Sequence, residues 1–233
     1  MRSGCLRMLK KPNGRGDNRM EASFRQQTID GFLQSLGSDA PAPGGGAAAG
    51  IAGALGAALG KMVADLTLGR KKYADHAADA KAASDALQPL IERFAALADA
   101  DAAAYDGVMR ALAMPKDTEA ERALRADALQ IAIRTATDVP CAVIQTALEA
   151  VGILEALHGR SNTTCVGDLA AGAASLKAAG KAAWLNVLAN LPYDKDRAAA
   201  ETVFTEQRAA LSALETRCDA LYDRIAKDLE DRI

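Results

Sequence analysis

Asp99 and Asp101 stand in a run of alanines where little else is polar, and Asp101 shares a helix face with Tyr105 one turn later. Burial among alanine and leucine disfavours an ionised carboxylate. Its pKa then rises toward the range useful in general acid or base work. Residue statistics alone favour the plainer reading, that both are solvent-facing helix carboxylates. A second set comprises Asn162, Asp168, Asn186 and Asn190, the last two one turn apart and flanked by Trp184, Val187 and Leu188. Two amides on an apolar stripe need partners, so they either read a ligand or fix the register of a bundle. On one unbroken helix Asp168 and Asn186 share a face, but their spacing puts about 27 Å of rise between them. One could serve the head of an extended ligand and the other its tail, or each could serve a different subunit's site.

The third feature is Pro41-Ala42-Pro43-Gly44-Gly45-Gly46, opening into the alanine- and glycine-rich stretch Ala47 to Gly60. Proline fixes φ and glycine permits positive φ. The chain can therefore turn sharply and leave the amides of Gly45, Gly46 and Ala47 free at a helix N-terminus, where they suit an anion or a polarised carbonyl. At 3.6 residues per turn, Gly46, Gly50, Gly53, Gly56 and Gly60 fall on one side of the helix. Either a second helix or a flat ligand could lie directly on that bare face.

These residues need long helices to position them, and the sequence supplies them. Half of the 233 residues are hydrophobic but only 4% are aromatic. The excess is alanine, which favours helix and close helix packing. Helices are expected over Ile29 to Leu36, packed across a bundle end, and over Gly45 to Leu68, followed by Arg70, Lys71 and Lys72 at the negative end of its dipole. Tyr73 to Met114 reads as helical, with Pro89 starting a second segment or kinking one long helix. Thr118-x-x-Glu121 is a capping box, and the helix it opens reaches Thr137. Pro140 resets the chain, and further helices cover Cys141 to Leu157, Asp168 to Leu191, and the segment after Pro192 to the C-terminus. Short connections imply antiparallel neighbours, so the expected fold is all-α, an antiparallel up-and-down bundle of long helices.

Composition also narrows the function. The first nineteen residues carry Arg2, Arg7, Lys10, Lys11, Arg15 and Arg19 against Asp17 alone, while the whole chain has a net charge of −2. The remainder is therefore acidic and offers no clustered cations for nucleic acid. Residues 1–24 read as a basic leader, expected to be disordered, with Met20 an alternative start. Residues 25–233 read as one helical domain. The leader has no apolar core of secretory length, and the uncharged stretch from Gly44 to Gly60 is short and weakly apolar. A cytosolic protein with no membrane span is expected. Cys5, Cys141, Cys165 and Cys218 are scattered and only His76 and His158 accompany them, so neither a disulfide framework nor a metal site is indicated.

Several motifs recur in order along the chain. They are Pro41-x-Pro43-Gly44-Gly45-Gly46, Gly53-Ala54-Leu55-Gly56-Ala57-Ala58-Leu59, Met62-Val63-x-x-Leu66-Thr67-x-Gly69-Arg70-Lys71-Lys72-Tyr73, Pro115-Lys116, Asp138-Val139-Pro140 and Asn186-Val187-x-x-Asn190. Together they closely resemble the cyclodeaminase/cyclohydrolase family of folate enzymes, from Ile29 to Ile233. That family includes the C-terminal domain of formiminotransferase-cyclodeaminase and stand-alone methenyltetrahydrofolate cyclohydrolases. The resemblance implies a helical bundle that works as a homodimer or larger homo-oligomer on the N5–N10 one-carbon bridge of tetrahydrofolate. Asp101 matches the family's catalytic aspartate. A Gly-Asn-x-x-x-x-Ser-Asp pattern appears as Ser161-Asn162-Thr163-Thr164-Cys165-Val166-Gly167-Asp168, which keeps Asn162 and Asp168 but not the flanking glycine and serine. Ala47 replaces a frequent serine after the glycines.

The implied roles are acid/base chemistry by Asp101, with Lys71 beside it, and substrate binding by Gly44, Gly45, Gly46, Lys72, Asn162, Asp168, Asn186 and Asn190. Lys71 or Lys72 could hold the glutamate carboxylates of the folate tail, or one could pair with the catalytic carboxylate. No metal or redox cofactor is required, because the tetrahydrofolate derivative is itself the substrate. The first reading is hydration of 5,10-methenyltetrahydrofolate to 10-formyltetrahydrofolate. The second is cyclodeamination of 5-formiminotetrahydrofolate with loss of ammonia. A third, from another class, is a non-catalytic folate-binding or assembly subunit.

Overall fold

The computed structural model describes residues 23–233, so residues 1–22 of the expected leader, with Met20 and Cys5, lie outside the described part. Among the described residues there are six α-helices and no strand. They are α1 (Ile29–Leu36), α2 (Gly45–Thr67), α3 (Ala77–Ala113), α4 (Glu119–Leu157), α5 (Val166–Asn190) and α6 (Arg197–Glu230). Helices α2 to α6 form the up-and-down antiparallel bundle, with α2 packed between α3 and α5, α4 across from it, and α6 against α4 and α5.

The glycine face of α2 makes this arrangement possible. A Cβ on Gly50 would stand 2.8 Å from the Phe94 carbonyl oxygen of α3, and one on Gly56 would stand 2.8 Å from the Gly172 carbonyl oxygen of α5. Cβ atoms on Gly53 and Gly60 would run into the side chains of Phe94 and Leu154. Four of the five glycines therefore form a packing seam that lets α3, α4 and α5 close on α2. The core around it holds Phe94, Leu87, Leu90, Ile144, Leu154, Leu176, Leu214 and Leu221, all at most 1% exposed. By length and composition alone α2 and α4 could cross a bilayer, but 50% and 44% of their most apolar windows are buried inside the bundle.

At Pro140 the helix limits differ from the sequence expectation. Thr118 does cap α4, accepting from the Glu121 amide at 3.2 Å while the Glu121 carboxylate accepts from the Thr118 amide at 2.9 Å. The helix then runs through Pro140 instead of stopping at Thr137. Proline at position 140 has no N–H for the carbonyl of Ala136, and Asn190 of α5 donates its Nδ2 to that carbonyl at 2.8 Å. A neighbouring helix thus satisfies the group that proline frees. Pro89 likewise sits inside one continuous α3, on an exposed face of that helix.

At the periphery, α1 buries no residue and does not pack across the bundle end as expected, although its Phe32 meets Phe24 edge-on at 5.6 Å. Asp99 holds this N-terminal segment, accepting from the Phe24 amide at 2.7 Å and from the Ser23 hydroxyl. Its role is therefore attachment of the segment before α1.

Candidate active site

A cavity of about 360 Å³ opens at the end of the bundle where α2 begins. Its walls come from the N-terminal end of α2 and the turn before it, from α3, α4 and α5, and from the turn after α5. The turn before α2 supplies Pro41, Ala42 and Gly44, and the first turn of α2 supplies Gly45 and Gly46. One stripe of α3 runs Asp101, Tyr105, Val108, Met109 and Leu112, while α4 faces it with Leu129, Ile133 and Ala136. The end of α5 closes the cavity with Asn186, Ala189 and Asn190, followed by Tyr193 from the short Leu191–Tyr193 turn. That last turn is pinned to α4 by Gln130, which donates Nε2 to the Tyr193 carbonyl at 3.1 Å and accepts from the Lys195 amide at 2.7 Å.

Asp101 is the only acidic or basic residue among these walls. A Cβ on Gly46 would overlap its carboxylate, so glycine at position 46 is the opening through which the carboxylate meets the N-terminus of α2. The sequence suggested a different use for the glycines, a turn with positive φ. Gly44 instead has φ −129° and ψ −157°, and the positive-φ glycines are Gly69 and Gly159. Gly46 is needed for close approach, whereas a Cβ on Gly45 would meet only Asn186, its Nδ2 3.8 Å away at ordinary contact distance. The Ala47 amide is not free either, because it donates to the Asp101 carboxylate.

Burial pushes the Asp101 carboxyl above its ordinary value, and the hydrogen bond from Ala47 offsets part of that rise. The group is thus reachable from the cavity and enclosed enough to hold a proton more readily than a surface aspartate. Asn186 gives its Nδ2 to the Ala182 carbonyl at 3.0 Å, one turn back on its own helix, as Asn190 gives its Nδ2 to Ala136. Each amide therefore commits one of its two N–H donors to the protein and keeps the other N–H and its carbonyl oxygen for a ligand. The first turn of α2 adds further donors, since the Gly45 and Gly46 amides have no carbonyl one turn earlier to accept from them. A flat, polar ring system with donors at its edge and a cationic centre near Asp101 fits this set of groups.

Residues 28–209 match the family model described as formiminotransferase-cyclodeaminase. The chain belongs to this family. Within the formiminotransferase-cyclodeaminase family it is 38% identical over 207 residues to the methenyltetrahydrofolate cyclohydrolase of Methylorubrum extorquens, covering 89% of this chain and 98% of that relative. It is 36% identical over 182 residues to the formimidoyltransferase-cyclodeaminase of Mus musculus, spanning 75% of this chain but 32% of that longer protein. The crystal structure of formiminotetrahydrofolate cyclodeaminase from Thermotoga maritima superposes with a TM-score of 0.73 at 28% identity, covering 89% of this chain and 98% of that one.

The chain separates the site residues that the family resemblance grouped together. Gly44, Gly45, Gly46, Asp101, Asn186 and Asn190 meet at the cavity. Lys71, Lys72, Asn162 and Asp168 lie beyond the far end of α2, whose 23 residues span about 33 Å. Within one chain, then, Lys71 does not stand beside Asp101. Lys71 and Lys72 are exposed on the Lys71–His76 turn, and the Lys72 ammonium sits 5.3 Å from the Tyr73 ring centroid.

Asn162 is buried and both polar atoms of its side chain are hydrogen-bonded within the protein. Nδ2 donates to the Leu66 carbonyl at 3.2 Å, while Oδ1 accepts from the Thr164 amide and hydroxyl at 3.1 and 2.9 Å. Its own amide donates to Thr67 Oγ1 at 2.9 Å, so it ties the end of α2 to the start of α5. Asp168 occupies the first turn of α5, where a carboxylate suits the helix dipole. Sequence reasoning noted Tyr105 as a neighbour of Asp101 but missed Met109, Leu112, Leu129, Ile133 and Tyr193 as walls. Their spacing on α3 and α4 was legible; that these two stripes face each other was not.

Proposed function

We propose that this chain is a methenyltetrahydrofolate cyclohydrolase, with Asp101 moving the protons. The carrying observation is a single carboxylate, lifted by burial and held against a helix N-terminus, in a cavity whose other walls are apolar or hydrogen-bonding. The 5,10-methenyl carbon is an amidinium-like electrophile. Water attacks it while the Asp101 carboxylate takes a proton, which gives a neutral tetrahedral adduct. The carboxylic acid so formed then protonates N5 as the carbon–N5 bond breaks, and the hydroxyl proton leaves to solvent as the formyl carbonyl forms on N10. The substrate's positive charge favours ionised Asp101 when bound, and burial favours the acid as that charge is lost. In this reading the Gly45 and Gly46 amides support the oxygen of the adduct. Asn186 and Asn190 supply acceptors for pterin N–H groups.

The nearly full-length similarity to a stand-alone cyclohydrolase supports this reading. The likeness to a cyclodeaminase structure supports a second one on the same residues, in which N10 attacks the formimino carbon and Asp101 protonates departing ammonia. A homo-oligomeric assembly and a cytosolic setting belong to the same proposal; the first is checked by light scattering.

The deciding experiment follows loss of methenyltetrahydrofolate absorbance with wild type and Asp101→Asn, against the uncatalysed reaction in the same buffer. Acceleration by wild type, reduced about 10²- to 10⁴-fold in the variant, is the expected result for a proton-transfer residue. Ammonia release from the formimino substrate without hydration of the methenyl substrate would move the reaction to cyclodeamination.

A further inference from the structure

The cavity has no cation in its walls, yet a folate ends in a glutamate with two carboxylates. Lys71 and Lys72, the cations first considered for them, lie beyond the far end of α2 in the same chain. Accepting the folate reading above, we propose that Arg125 is the residue that binds the glutamate tail.

Three observations lead there. First, Arg125 continues the cavity stripe of α4, four residues before the wall residue Leu129, and so stands on the same face one turn further out. Second, its guanidinium reaches across to the outer end of the opposite wall: Nε and Nη2 donate to the Leu112 carbonyl at 3.3 and 3.2 Å. Leu112 is the last cavity residue of α3, eleven residues and about 16 Å of rise beyond Asp101. Standard bond lengths through an aminobenzoyl ring and an amide place the first glutamate carboxylate about 10 Å from the reacting carbon, and the second a few ångströms further. A substrate with its one-carbon bridge at Asp101 and its aryl ring between Val108, Leu129 and Ile133 therefore delivers its carboxylates to this end.

Third, part of the Arg125 fork at this rim is still free to take a carboxylate. Arg134 is paired with Asp194 and Asp196 at 3.5 Å. Arg122 and Arg197 give their Nη1 atoms to backbone carbonyls in the loops beside them. Arg125 has no carboxylate partner among the described residues. Its one acceptor, Leu112, uses the Nε and Nη2 side of a planar fork that carries five N–H donors. The Nη1 side remains for a carboxylate, and the contact with Leu112 holds the fork still, which lowers the entropy cost of binding one.

The test compares binding of 5-formyltetrahydrofolate with that of 5-formyltetrahydropteroate, which lacks the glutamate, by titration calorimetry on the full chain. Wild type is expected to bind the glutamate-bearing ligand about tenfold or more tightly, the range of a hydrogen bond to a charged group. Arg125→Ala should bring the tailed ligand down to the affinity of the tail-less one and leave the latter unchanged, with Arg125→Lys between. Wild type that binds both ligands equally, or neither, overturns the inference without any variant. So does an Arg125→Ala protein that keeps the preference, or one that loses affinity for both ligands alike, as a purely structural role would. Hydration of methenyltetrahydrofolate by the same wild-type sample is a separate readout. Tail preference without hydration leaves Arg125 in place and changes only the reaction.

Discussion

Asp101 carries opposed demands, and they make its substitution informative beyond loss of activity. Its native carboxyl holds a proton more tightly than the ordinary aspartate value of 3.8, because burial outweighs the Ala47 hydrogen bond. The native state therefore binds more protons than the unfolded state as pH rises above 3.8 toward the raised native value. The stability contributed by the protonated form is fully present below that window and is lost as pH passes through the native value. Asp101→Asn keeps the shape and the acceptor for Ala47 while removing the charge. The variant is thus expected to lose turnover yet melt at or above the wild-type temperature at neutral pH, with the two curves converging in acid. Melting temperatures across a pH series check this, and a variant less stable than wild type at neutral pH would contradict it. Gly46 is the companion test. Gly46→Ala places a methyl where the carboxylate now sits, so a folded protein with turnover reduced about 10²-fold is expected, the scale of a displacement near 1 Å at a reacting group.

Among the elements, α4 shows how one helix can contain a proline, wall a cavity and stay continuous. Pro140 leaves the Ala136 carbonyl without its usual donor, and Asn190 replaces that donor from α5. Asn190→Ala should therefore destabilise the protein by about 1 kcal/mol, the net worth of a hydrogen bond, and more if water cannot reach the carbonyl. In a Pro140→Ala background the backbone amide of residue 140 can return to Ala136, so the penalty should shrink. A denaturant-unfolding cycle over the four proteins measures this, and additivity of the two substitutions would remove the link. The same bond fixes the height of α5 against α4, and with it the position of the Asn190 and Asn186 acceptors over the cavity.

Across the whole molecule, α2 is the rod that holds two differently built ends apart. At one end the cavity gathers Asp101, Asn186, Asn190 and the free amides of α2. At the other, Asn162, Thr67, Tyr73 and Thr163 are bonded to one another and to backbone. Asn162→Ala is accordingly expected to lower the melting temperature while leaving the affinity for a folate ligand unchanged in the folded fraction, as calorimetry would show. A fall in affinity would instead bring this end into the cavity of another subunit. The sequence by itself determined the helical class, most helix limits, the acid/base candidate and the family, because these depend on local periodicity, capping and ordered motifs. The start of α1, the cap at Thr118 and the run of α2 from Gly45 were all legible as short-range patterns. Only the tertiary structure decided that α4 continues through Pro140, because the group that rescues it is 54 residues away. It alone also showed that Gly46 makes room for Asp101, that Asn162 binds backbone instead of lining the cavity, and that Arg125 meets Leu112. Each of these depends on which helix faces which, a consequence of long-range packing that no local spacing encodes.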